Sequence, residues 1–257
     1  GTESVRSQRD PVNNAPMLSG DIGIENDDSD NTYHVVIPLQ NSLLDGFNIS
    51  NGHASENFGD GDDRGKGGGL YADGTTFSIS NCIFSDNTAK QGGAGLYLKD
   101  SNVTFFACSF SSNSANSIGS GGAILIEDSN VSITSSSFLN NLSAYQGGAM
   151  RWTNSVGSVT DSNLTQNQNT LANGAGAVYL ENSPVTFENC VFSENSTHAN
   201  NYGGAVKLSA SSASFSNCLF TRNSSPQNSA GAIYVDPSSS PTFSANEFVN
   251  SSPRETK

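Results

Sequence analysis

Six side chains able to grip a planar or charged ligand occupy one recurring position of the sequence: Tyr71, Tyr97, Arg151, Tyr179, Lys207 and Tyr234. Flat aromatics interleaved with cations could stack on sugar rings or anchor a protein partner. Arg151, Tyr179 and Lys207 could also serve a polysaccharide lyase, with a cation to neutralise a uronate carboxylate and a base to take the adjacent proton. Two repeats separate Arg151 from Lys207, which would place them about 10 Å apart. The competing structural account is that tyrosine suits strands and that these cations and rings simply cover one another. A hydrolase would need paired carboxylates on one face. His34, His53 and His198 do not share a position of the repeat.

Two acidic clusters offer the closely spaced oxygens that a hard cation needs. One includes Asp27, Asp28 and Asp30; the other includes Asp60, Asp62 and Asp63. Neither has the spacing of a twelve-residue calcium loop, so calcium competes with a solvated turn at each. Stacked Asp100 and Asp128 are a third candidate. No other cofactor is implied. A regular row of serine and threonine, such as Ser78, Thr104, Ser132 and Ser158, could suit an ice-binding face. Phe106 and Glu188 interrupt that pattern, which favours an ordinary solvated strand. Eight Asn-x-Ser/Thr sites occur, about as many as this Asn- and Ser-rich composition yields by chance.

The elements that must position these groups follow from a period of 26–28 residues. Each unit carries a small-residue triplet, such as Gly92-Gly93-Ala94 or Gly147-Gly148-Ala149, running into a strand. Each also carries Phe-x-x-Asn, as at Phe84/Asn87, Phe110/Asn113 and Phe192/Asn195. Regular repetition means one supersecondary unit stacked on its copies. Within a unit the apolar residues alternate with period two, interrupted by bends at Asp73-Gly74, Ser80-Asn81 and Asn87. Three short strands per circuit make an all-β, right-handed parallel β-helix of about eight coils. Its expected core ladders run through Leu70, Leu96 and Ile124, through Phe77, Val103 and Val131, and through the Phe column. The small residues allow tight turns and positive φ, and stacked asparagines can hydrogen-bond between coils.

Cys82, Cys108, Cys190 and Cys218 each lie two residues before the marker position, so they should stack as two vertical pairs. In-register strands suit a disulfide in Cα separation but not in Cβ separation. Free buried thiols are therefore favoured over disulfides.

Residues 1–67 read as one or more less regular coils, with Tyr33–Ile37 and Leu43–Ile49 as strands and Phe47 in the marker role. Residues 68–257 read as seven coils of the same domain. The formal charge of -13 argues against nucleic acid or anionic lipid as partners. No apolar run reaches the roughly 18 residues of a membrane span.

The Gly-Gly-Ala and Phe-x-x-Asn marks resemble the repeats of the polymorphic outer-membrane-protein family, from Gly68 to about Asn250. The opening, with Gln8-Arg9-Asp10 and Tyr33-His34-Val35-Val36, is similar to a segment seen ahead of such repeats. The resemblance implies a β-helix whose first residue falls partway through a coil of a longer chain. It also implies an extracellular or cell-surface adhesin or structural element. The partner would be a surface or matrix protein, a glycan, or further copies end to end. The alternative is a lyase-type enzyme using Arg151, Tyr179 and Lys207.

Overall fold

The structure is a computed structural model that describes residues 16–25, 27–56, 63–171, 173–198, 202–225 and 230–253. Every strand pairing is parallel and joins one coil to the next, as in Phe84 to Phe110 to Phe138. The pairings build sheets of seven, eight, nine and eight strands around a common axis. The first sheet holds Leu70–Asp73, Leu96–Lys99 and their successors. The second holds Thr76–Ser80, Asn102–Phe106 and so on; the third holds Ile83–Ser85, Ser109–Ser111 and so on.

A fourth sheet of two-residue strands, such as Thr88–Ala89 and Ser114–Ala115, adds to the three strands expected per coil. Two residues are too few to show alternation, so only their stacking reveals them.

The expected ladders are the core. Leu70, Leu96, Val103, Val131 and the third-sheet phenylalanines from Phe84 to Phe220 are 0% exposed, while Phe248 in the last coil is exposed. Phe84, Phe110 and Phe138 stack with nearly parallel rings, centroids 5.3 and 4.6 Å apart. Trp152 is fully buried, and the neighbouring inward column holds Gly157 where the coils on either side have Val131 and Val185. A Cβ there would fall 1.9 Å from the Val131 carbonyl oxygen and 3.1 Å from the Trp152 ring, so the glycine lets the two coils close up and leaves room for the indole.

The first three corners of a coil share one design. A residue with left-handed φ is followed at once by an inward polar residue: Asp128 (φ 49) then Ser129, Ser135 (φ 52) then Ser136, Asn140 (φ 55) then Asn141. Left-handed backbone costs about 1–2 kcal/mol for a residue with a Cβ, which the inter-coil hydrogen bonds offset. At the third corner Asn141 Nδ2 donates to Asn167 Oδ1 (3.0 Å) and to the Phe110 carbonyl (2.9 Å). The ladder runs unbroken from Asn87 to Asn223, and Gly52 and Ser251 stand at its ends.

A second ladder, of serines at the first corner, was hidden by the abundance of serine. The Ser101 N–H donates to Ser129 Oγ and the Ser129 N–H to Ser155 Oγ, each at 3.0 Å. The four cysteines belong to the second corner and are buried free thiols. Each donates to the carbonyl two residues earlier, as Cys218 Sγ does to Ser216 O, which is the bond that Ser136 makes in the same column. Burial pushes the Cys108 thiol up to about 12.

The N-terminal coil differs from expectation in register. Ile49, not Phe47, stands in the marker column beside Phe84, and Phe47 lies beside Cys82. Tyr33–Ile37 contributes one bridge, Val36 to Leu70, instead of a strand. Met17–Ser19 pairs with Asn48–Ser50 and extends the third sheet by one more strand.

Candidate functional site

The Tyr/Arg/Lys column lies on the outer face of the first sheet in register, Tyr71 beside Tyr97, Arg151 beside Tyr179, and Lys207 beside Tyr234. Its expected exposure is corrected by the structure. Tyr97 is 0% exposed, Tyr179 5% and Lys207 8%; Tyr71, Arg151 and Tyr234 are half-buried. The cover is the fourth corner of the preceding coil, which crosses over this face. Gly93 (φ 58) sits there, and a Cβ on it would fall 2.2 Å from the Leu96 carbonyl oxygen and 3.1 Å from Leu125 Cβ. The small triplets therefore do more than turn the chain: they let it lie flat on the column.

The covered column forms two clusters. In the first, the Tyr71 hydroxyl donates to Asp63 (2.6 Å) and the Tyr97 hydroxyl to Glu127 (2.6 Å). Lys66 bridges them: its Nζ donates to the Tyr97 oxygen at 3.1 Å and lies 3.5 Å from Asp63 and 3.8 Å from Glu127. The His34 ring packs 4.9 Å from that of Tyr71. Burial, then the hydrogen bond to a carboxylate, pushes both phenols well above the usual tyrosine range.

In the second cluster, Arg151 pairs with Glu181 at 2.9 Å and lies 6.0 Å from the Tyr179 ring centroid. Lys207 Nζ sits 4.1 Å from the centroid of Tyr202, 5.2 Å from Tyr179 and 6.0 Å from Tyr234. It also donates to the Asn173 carbonyl at 3.1 Å. Desolvation lowers the Lys207 pKa and raises that of Tyr179. Lys207 thus fills a cage of three tyrosines.

Sequence reasoning missed Lys66, Glu127, Glu181 and Tyr202. Glu127 and Glu181 had a visible signal, standing two residues beyond the column on the same strand face. Lys66 and Tyr202 lie on turns, where no periodicity marks them.

Of the acidic candidates, Asp27 accepts the Ser29 N–H (2.9 Å) and hydroxyl (2.6 Å), and Asp28 accepts from Asn31. Asp30 accepts the Ile24 N–H at 2.9 Å. Asp63 is committed to Tyr71 and Lys66. Asp60 and Asp62 lie outside the described residues. Among the described residues, no three His, Cys, Asp or Glu side chains group closely enough to hold a metal. Of the eight glycosylation-type sites, Asn141, Asn195 and Asn223 are ladder residues with no exposure.

This geometry, stacked parallel coils with buried polar ladders, defines a parallel β-solenoid. Residues 41–254 match the family described as right handed beta helix region, and the chain belongs to that family. The comparisons with curated proteins and with solved structures gave no match.

Proposed function

We propose that this β-helix is a non-enzymatic extracellular or cell-surface element, an adhesin or structural rod that meets a glycan or protein partner. The observation that supports this reading most is the closure of the lyase-like constellation of Arg151, Tyr179 and Lys207. Tyr179 and Lys207 are buried, Lys207 is held by a carbonyl and three rings, and Arg151 is neutralised by Glu181. A lyase base must lose its proton near working pH; burial moves the Tyr179 phenol the other way, and Lys207, although desolvation lowers its pKa, has its amine taken by the Asn173 carbonyl and the surrounding rings. The Gly-Gly-Ala and Phe-x-x-Asn marks, similar to polymorphic outer-membrane-protein repeats, support placement at a cell surface.

The test offers the purified chain to cells, to a glycan array and to soluble polyuronates. Retention on cells or glycans without release of absorbing unsaturated uronate is the expected result. Product that disappears with Arg151→Ala would overturn the reading in favour of a lyase.

A further inference from the structure

The outer face of the second sheet is built unlike the rest of the surface. Seven successive coils, from Ser78 through Thr104, Ser132, Ser158 and Thr186 to Thr242, place a serine or threonine at its middle column without a break. In a chain of net charge -13, the next column, from Ser80 to Ser244, carries one carboxylate, Glu188. The adjoining third-sheet column, from Ile83 through Ser109 and Val191 to Glu247, is uncharged until its last residue, and the column beyond it, from Ser85 to Val249, carries no charge. Lateral hydrogen bonds align the hydroxyls across coils: Thr104 to Ser78 at 2.9 Å, Thr160 to Thr134 at 3.2 Å, Ser214 to Thr186 at 3.1 Å.

Among the described residues this face stays open: Thr104, Thr186 and Thr242 are exposed, and Ser78, Ser132, Ser158 and Ser214 are partly so. Single left-handed residues such as Asn81, Ala107 and Ser135 make the corner to the third sheet, in contrast to the long fourth corner that buries the tyrosine column. Phe106 stands in its midst, 54% exposed, beside Thr134 and Ser80. From Ser78 to Thr242 the array is about 29 Å long, six coil steps of about 4.8 Å.

We infer that this face binds a neutral, extended polysaccharide chain lying along the helix axis. The ring of Phe106 offers a flat apolar platform to a sugar, and the hydroxyl column exchanges hydrogen bonds with successive sugar hydroxyls. Individually weak contacts repeated along one rigid line reinforce one another, because the first fixes the effective concentration of the rest. An anionic glycan is disfavoured, since the array carries no cation and the molecule is acidic. The inference rests on the glycan-binding form of the proposed function.

Retention of the chain on insoluble cellulose and on chitin, with calorimetry on cellohexaose and chitohexaose, tests it. Phe106→Ala and the triple change Thr104→Glu, Ser132→Glu, Ser158→Glu should each weaken binding about tenfold or more. Tyr145→Ser, on the fourth corner, should leave it unchanged. A native urea midpoint by Trp152 fluorescence shows that each variant is folded. Equal retention of all variants would overturn this inference and leave glycan binding elsewhere on the molecule. Binding to cells but to neither polysaccharide would also overturn it while sparing the surface role; binding to nothing would end both. Ice shaping that is lost in the same variants would assign the array to ice and overturn it as well.

Discussion

Replacing Asn141 by alanine should cost more than any surface change of the same size. Asn141 lies at the centre of the asparagine ladder, with no exposure. Its amide donates to Phe110 O (2.9 Å) and Asn167 Oδ1 (3.0 Å). Its Oδ1 accepts from the Asn113 N–H (3.1 Å) and Nδ2 (3.0 Å). Alanine removes all four bonds and leaves the Asn113 N–H buried without that acceptor. At roughly 1 kcal/mol net for each bond, the loss is about 4 kcal/mol. Urea unfolding followed by Trp152, the sole tryptophan and fully buried, reads this directly. The midpoint should fall sharply, while exposed Asn163→Ala stays within about 0.5 kcal/mol of the parent. If the two variants unfolded at the same urea concentration, the ladder would not be what ties the coils together.

Two further outcomes follow from the corners and the thiols. Burial alone would raise the Asp236 pKa, but hydrogen bonds from Ser239, Ser238 and the Ala210 N–H outweigh it and hold it at about 2. A carboxylate whose folded pKa is depressed adds stability above its unfolded value, near 4, and loses it as pH falls toward 2. Amide exchange of the last coil should therefore accelerate over that window, and Asp236→Asn should flatten the dependence. The four thiols should resist a thiol reagent at pH 8 in the native protein and all react in urea. Fast native labelling of Cys108, whose thiol sits at about 12, would contradict its burial.

The sequence carried the fold because the fold repeats: a one-dimensional period printed the Phe and Asn columns wherever the coil closed. The same repetition hid what lay between the marks. The serine ladder at Ser101, Ser129 and Ser155 was masked because serine is common everywhere on the chain. Period-two alternation says which face of the strand a side chain takes, and so sets Tyr97 and Lys207 on the face opposite the apolar ladder. It cannot say what crosses over them, since that depends on the path of the preceding corner, set by glycine φ at positions such as Gly93. Phe47 was misplaced for a related reason: the N-terminal coil departs from the period, and only pairing with Phe84 fixes Ile49 in its column.

The corner ladders also make chain length come in fixed quanta. Asn113 and Asn141 stand 28 residues apart and Asn141 and Asn167 26 apart, yet each rung meets the next in the same geometry. Excising one whole circuit removes one rung from every ladder and leaves no group without its counterpart. Excising half a circuit would strip partners from all three at once. Growth and loss by complete turns, through duplication or deletion in the gene, is thus the change in size that this molecule tolerates, and a rod of any whole number of turns is open to the same lineage.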